Sequence, residues 1–176
     1  MVEDSSPNGS LTSELPSGPV DVLLVCSTGG HLLQLLALRG AWEGFSRVWV
    51  TFDKSDARSL LADEPVVFAS GPTNRNFGLL AVRNLLRNAL AAVRLLRAVR
   101  PKVVLTTGAG VAVPFAWVGR VLGARVVYVE SLTRIERPSL SCRLIAPVAS
   151  RVYAQWPELT EAVPKARYVG NVVSGT

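Results

Sequence analysis

The feature that narrows the fold most is a rhythm: from residue 20 onward, short runs rich in β-branched residues alternate with longer stretches of helical period. VDVLLVC (20–26), RVWVTF (47–52), VVF (66–68), KVVLTT (102–107), RVVYVE (125–130) and RVYA (151–154) read as strands. Helical patterns fill most of the gaps. Strands apolar on both faces need cover on both faces, and parallel neighbours need a crossover between them. The pattern therefore predicts an α/β fold, a doubly wound, mostly parallel, Rossmann-like sheet with right-handed crossovers. At 176 residues, 49% of them hydrophobic, the chain buries a sizeable core without disulfide or metal. We assign 20–176 to one domain and 1–19 to a disordered polar tail whose charges are Glu3, Asp4 and Glu14.

Several function classes fall away at this level. Cys26 and Cys142 sit in apolar surroundings with no zinc or redox spacing, so reduced thiols are expected, with neither metal nor cofactor. The N-terminus lacks a basic segment followed by an apolar one, so it does not read as a secretory signal. The longest uncharged run, 103–119, is shorter than the ~20 residues of a spanning helix and is interrupted by Gly108, Gly110 and Pro114. Membrane contact is expected to be peripheral. The net charge of +6 is unevenly spread: 65–129 holds no acid but contains Arg75, Arg83, Arg87, Arg94, Arg97, Arg100, Lys102, Arg120 and Arg125. Such a span attracts phosphate-bearing substrates or an anionic lipid surface. Nucleic acid is not expected, because no recognition helix, zinc finger or aromatic-interleaved basic stretch is present. Arginine far outnumbers lysine, which fits a bacterial source.

In a sheet of this kind ligands bind outside the carboxyl ends of the strands. The first strand ends in Ser27-Thr28-Gly29-Gly30-His31, a glycine turn opening a helix, which is a candidate site for a phosphate or diphosphate or else a turn without ligand. His31, the only histidine, is a candidate general base at that position; its alternative is a helix cap. A second turn, Thr107-Gly108-Ala109-Gly110, follows the fourth strand and serves either ligand contact or close helix-to-strand packing. Glu130-Ser131 ends the fifth strand. Its carboxylate would accept a sugar hydroxyl, orient His31, act as a base itself, or pair with Arg134 or Arg137. Along 77–99, helical period puts Arg83, Arg87, Arg94 and Arg97 in one stripe, flanked by Leu86 and Leu90, with Leu85, Ala92, Leu96 and Val99 opposite. That face is an interfacial surface for anionic headgroups or an ordinary solvated one.

STGGH, TTGAG, the stretch YVESLTRIERPSLSCRLIAPVASRVYAQWPEL and YVGNV together resemble the oligosaccharide-biosynthesis family of Alg14 and bacterial PssD proteins, acceptor-side halves of split GT-B glycosyltransferases. The glycine loops also resemble those of the peptidoglycan lipid II synthase. The resemblance runs from about residue 22 to the end. It implies the fold of a GT-B N-terminal domain that binds a polyprenyl-diphosphate-linked sugar on the cytoplasmic face of the plasma membrane, while a separate Alg13- or PssE-like subunit binds the nucleotide sugar. It implies Gly29, Gly30 and His31 as first acceptor loop and base, with Ser27 and Thr28 beside them. Gly108, Ala109 and Gly110 would form the second loop, Glu130 would lie in the cleft, and Gln155-Trp156-Pro157-Glu158 near the partner. Eukaryotic relatives often carry an acid near Gln34 and an N-terminal anchor; here Gln34 is neutral and no anchor is seen, so membrane binding falls to surface features. One sheet is expected where a complete GT-B enzyme has two, so catalysis is expected to need the partner. The rival readings are a small dinucleotide-binding protein, with Asp53 as its ribose acid, and a non-catalytic membrane-recruiting scaffold.

Overall fold

The computed structural model describes residues 18–71 and 79–173, with side chains in the longest helix from Arg83 onward. Most of the expected tail, together with Arg75, Phe77 and 174–176, lies outside them.

Seven parallel strands form one sheet: β1 (Val22–Val25), β2 (Arg47–Phe52), β3 (Val66–Ala69), β4 (Val103–Thr106), β5 (Arg125–Val129), β6 (Arg151–Ala154) and β7 (Ala166–Tyr168), in the order β3-β2-β1-β4-β5-β6-β7. The six expected strands are present within a residue or two of their expected ends. The seventh is additional. Pairing is in register from Val22 against Arg47 on one side of β1 and Val103 on the other.

Side chains alternate along each strand, and the two sets build two cores. Leu23, Val25, Val48, Val50, Val104, Val126 and Val152 pack beneath α3 (Leu79–Val99), α4 (Ala112–Val121), α5 (Leu140–Ile145) and α6 (Leu159–Ala162). Val22, Leu24, Trp49, Leu105 and Val129 pack beneath α1 (Gly30–Ala37) and α2 (Ser55–Leu60). The contact of α4 with the sheet is close because of Gly119, where a Cβ would lie 2.8 Å from Val104 Cγ2.

Helix α3 begins at Leu79 and departs from expectation at Leu85, which is 44% exposed rather than turned to the core. Its buried face is Asn88, Ala92, Leu95, Leu96 and Val99. The reason is length: 21 residues rise about 31 Å, whereas a four-residue strand spans about 13 Å, so the early turns have no sheet beneath them. Arg83, Arg87, Arg94 and Arg97 are exposed, and Leu86 and Leu90 beside them are 60% and 61% exposed. Among the described residues no helix is long and apolar enough to cross a membrane.

Candidate active site at the strand ends

The strand order reverses between β1 and β4, so the loops after these two strands part and leave a crevice at the carboxyl edge. Gly29 adopts φ 73° and ψ −137°, a conformation that side-chain-bearing residues avoid, and a Cβ there would meet nothing within 4 Å. Gly30, the first residue of α1, is equally open. The first i to i−4 bond of α1 runs from Leu33 N–H to the Gly29 carbonyl, so the N–H groups of Gly30, His31 and Leu32 precede it. Ser27 and Thr28 are half-buried, and the Ser27 hydroxyl donates to the Thr28 carbonyl at 3.4 Å.

The second loop is built differently. Gly108 (φ 105°) is buried, and a Cβ there would lie 2.9 Å from the Tyr128 hydroxyl oxygen and 3.1 Å from Ser141 Oγ. Of the two readings for this turn, close packing describes Gly108. Ala109 is held at φ 72°, a left-handed conformation rare for a residue with a side chain, while Gly110 is exposed ahead of α4.

The loops meet through two reciprocal bonds. His31 Nδ1 lies 2.8 Å from the Thr107 carbonyl, and Thr107 Oγ1 donates to the His31 carbonyl at 2.8 Å. A carbonyl only accepts, so Nδ1 carries the hydrogen and, in the neutral ring, Nε2 carries the lone pair. Burial lowers the His31 pKa from its usual 6.5; the Thr107 bond and the Glu130 charge oppose this, and the Arg134 charge adds to it. The lowered pKa favours the neutral ring at pH 7, with the lone pair on Nε2.

Glu130, the other expected catalytic candidate, is fully buried. Its Oε1 accepts from the Tyr128 hydroxyl at 3.0 Å and from Ser131 N–H at 2.8 Å. Its Oε2 accepts from Ser139 N–H at 2.9 Å, and the Ser139 hydroxyl lies 3.0 Å from both oxygens. Burial and the adjacent carboxylate push the Tyr128 pKa far up, so the phenol stays protonated as a donor. Neither Arg134 nor Arg137 forms an ion pair with Glu130. The carboxylate is engaged in folding the β5–α5 loop back on itself, and Ser131, whose N–H it holds, turns its hydroxyl to Thr133 Oγ1 at 3.0 Å.

One site residue, Asp56, was not singled out from sequence, and Gln34 was noted there only for being neutral. Gln34 is buried and spans the crevice floor, donating to the Glu130 carbonyl at 2.6 Å and accepting from Leu132 N–H at 3.3 Å. Asp56, in the first turn of α2, accepts the Gly29 N–H at 2.8 Å. An acid in the first turn of the helix that follows β2 was the available signal for Asp56. Asp53, the acid of the dinucleotide reading, is bound by Arg58 through both carboxylate oxygens, with Nη2–Oδ2 at 2.8 Å.

In the expected partner segment, Gln155 is buried and accepts from Val172 N–H at 2.9 Å, while Trp156 Nε1 donates to the Leu132 carbonyl at 2.7 Å. Both spend their polar groups inside the chain; Pro157 and Glu158 are exposed. A cavity of about 700 Å³, lined by Arg137, Arg143, Lys165 and apolar residues, lies at α5 and the end of α6. No group of three His, Cys, Asp or Glu that could hold a metal ion occurs among the described residues.

Solved structures share this architecture. MurG of Acinetobacter baumannii superposes with a TM-score of 0.67 at 21% identity, over 84% of this chain and 45% of that one. The UDP-GlcNAc 2-epimerase of Methanocaldococcus jannaschii does so with a TM-score of 0.63 at 15% identity, over 87% of this chain and 46% of that one. This chain thus has the fold of one Rossmann-like half of a GT-B molecule and spans about half the length of those chains. The family described as "Oligosaccharide biosynthesis protein Alg14 like" matches residues 22–172. The "UDP-N-acetylglucosamine transferase subunit ALG14" of Eremothecium gossypii is 34% identical over 181 residues, 88% of this chain and 81% of that protein. The protein of the same name from Rattus norvegicus is 27% identical over 184 residues, 90% of this chain and 85% of its own length. The chain belongs to the Alg14-like family.

Proposed function

We propose that this chain is the acceptor-binding and membrane-recruiting subunit of a two-component inverting glycosyltransferase, which moves a sugar from a UDP-linked donor to a polyprenyl-diphosphate-linked saccharide in cell-surface polysaccharide biosynthesis. The observation that carries the reading is the His31 tautomer, with Nδ1–H held by the Thr107 carbonyl, which leaves the lone pair of a base on Nε2. His31 takes the proton of the attacking acceptor hydroxyl; the new bond forms to the anomeric carbon of the donor sugar as the bond to the diphosphate breaks and UDP leaves. A positioned base contributes roughly 10²–10⁴-fold, and alignment of the two sugars supplies much of the rest. Ser27 to Gly30 and Thr107 to Gly110 line the acceptor side, with Ser131 at the β5 end, and Glu130 supports the loop over it.

Family membership and the relatives' naming as transferase subunits support this reading, as does the GT-B fold. A separate Alg13- or PssE-like subunit binds the nucleotide sugar and meets this chain near Pro157 and Glu158. The exposed arginines of α3, with Leu86 and Leu90, hold the chain on an anionic membrane at its cytoplasmic face, each arginine contributing on the order of 1 kcal/mol. The arginine-rich composition favours a bacterial setting.

Reconstitution tests the reading. The purified chain should transfer no sugar from a nucleotide sugar to a lipid-linked acceptor, and transfer should begin on adding the donor-binding subunit. Robust partner-free turnover would sink the two-component proposal. Changing Arg83, Arg87, Arg94 and Arg97 together to Gln should release the chain from anionic vesicles, and high salt should do so in part. Equal co-sedimentation of wild type and variant would mark the stripe as merely solvated.

A further inference from the structure

Helix α1, GHLLQLLA, has two polar side chains, and both reach to the backbone of a neighbouring loop. His31, in the first turn, exchanges two bonds with Thr107, after β4. Gln34, three residues on and so on the same face of the helix, is buried. Its Nε2 donates to the Glu130 carbonyl at 2.6 Å and its Oε1 accepts from Leu132 N–H at 3.3 Å, both at the end of β5. Leu132 is held from the far side as well, its carbonyl accepting from Trp156 Nε1 at 2.7 Å. The helix that follows β1 is thus tied to the loops of the next two strands of the sheet.

The other contacts of α1 leave the angle about its own axis less determined. Leu32 and Leu35 are buried in the core beneath it, but apolar contact is non-directional. Asp56 and Trp42 bond its two ends through backbone groups, the Gly29 N–H and the Leu35 carbonyl, and both act from the side of β2. On the side of β4 and β5 the directional ties from α1 side chains are those of His31 and Gln34. The His31 bond forms only when the ring already stands opposite the Thr107 carbonyl, so the tie that brings it there is the other one. That tie needs a donor and an acceptor at one tip, which an amide supplies and an apolar side chain does not.

We propose that Gln34 is a positioning residue for His31: by clasping the Glu130 carbonyl and the Leu132 N–H, it holds α1 at the angle where Nδ1–H meets the Thr107 carbonyl and the lone pair stays on Nε2. The catalytic meaning of this hold rests on the transferase reading above; the hold itself does not.

His31 is the only histidine of the chain, so its ring nitrogens give a single pair of signals in a nitrogen-15-labelled sample. A histidine ring free in water prefers the proton on Nε2, the opposite of the form the Thr107 carbonyl selects. At a pH where the ring is neutral, the wild-type full chain should show the proton on Nδ1. Gln34→Met, close to glutamine in length, should move the ring toward the Nε2–H form. Asn88→Leu is the matched control: it removes a buried amide that clasps Ser70 N–H and carbonyl beneath α3, on the other face of the sheet, and should leave the ring as in wild type. If Gln34→Met does not fold, Gln34→Asn, which withdraws the amide by one methylene, is read in the same way. The proposal is overturned by a wild-type ring already in the Nε2–H form, by a folded Gln34 variant with the wild-type tautomer, or by an equal shift in Asn88→Leu. In the reconstituted enzyme, Gln34→Met should lower kcat at saturating acceptor about tenfold, the scale of a base slightly misplaced. A shifted tautomer with wild-type kcat would uphold the hold on His31 and overturn its use as the base, so the two failures are distinguishable.

Discussion

The two glycine loops of the crevice look alike in sequence, Thr28-Gly29-Gly30 and Thr107-Gly108-Ala109-Gly110, and their glycines exist for opposite reasons. Gly29 faces open space and is required only by its backbone angles. Gly108 faces the Tyr128 hydroxyl and Ser141 and is required by both angle and space. The space around the first loop is open, whereas that of the second is filled by the chain itself. Glu130 and His31 repeat the contrast at the level of titratable groups: the acid is surrounded by donors from β5 and the loop after it, and the imidazole is held through Nδ1 among the described residues.

This contrast can be broken most forcefully at Gly108. Gly108→Val places a branched side chain at φ 105° against the Tyr128 hydroxyl and should cost about 3–5 kcal/mol, lowering the melting temperature by roughly 10 °C. A variant that melts like wild type would mean the loop is slack. Glu130→Leu comes next. It strips Tyr128, Ser131 and Ser139 of their acceptor and should cost about 3 kcal/mol. A Glu130→Leu protein with native stability but no turnover would restore Glu130 as a candidate base. His31→Ala should reduce turnover of the assembled complex by about 10²-fold, equal to about 2.7 kcal/mol of barrier, with melting nearly unchanged. Wild-type turnover at saturating acceptor would return His31 to a structural role. Gly30→Ala should change stability by less than about 0.5 kcal/mol, since it has open space and no unusual φ, while raising the acceptor KM. Equal losses of stability at Gly30 and Gly108 would erase the distinction.

The smallest effect concerns pH. The folded chain holds the His31 pKa below 6.5, so the unfolded chain binds the proton more readily as pH falls through that value. His31 therefore adds stability at neutral pH that is lost as pH drops below about 6.5, and His31→Ala should remove this increment of acid sensitivity in parallel denaturant titrations. In the wild-type enzyme the acidic limb of kcat/KM should have its midpoint below 6.5.

Much of the architecture was legible because buried parallel strands carry near-continuous apolar runs, as β1, β2, β4 and β5 do. The edge strand β7 carries Arg167 and Tyr168, both exposed, so its three residues show no such run. Leu85 was misplaced because periodicity knows which residues share a helix face but not where the sheet beneath that face stops. His31 and both loops could be found from the rule that strand ends carry ligands. The Glu130 arrangement could not, because its donors, Tyr128 two residues before and Ser139 nine after, meet only once the loop has folded. Asp56 was hidden for a similar reason: Ser-Asp-Ala-Arg reads as a solvated turn until β2 is placed beside β1.

Asn88 gives the long helix a mechanical character. Buried in the middle of α3, its side-chain amide accepts from Ser70 N–H at 3.0 Å and donates to the Ser70 carbonyl at 3.3 Å, a two-point clamp onto the end of β3. Behind the clamp Ala92, Leu95, Leu96 and Val99 anchor the helix to the sheet; ahead of it, Arg83, Leu86 and Arg87 ride on turns with no strand below. The helix is thus a cantilever whose fulcrum is one amide. Load applied to its free end is delivered to Ser70, at the carboxyl end of β3, and so to the same edge of the sheet where the crevice opens.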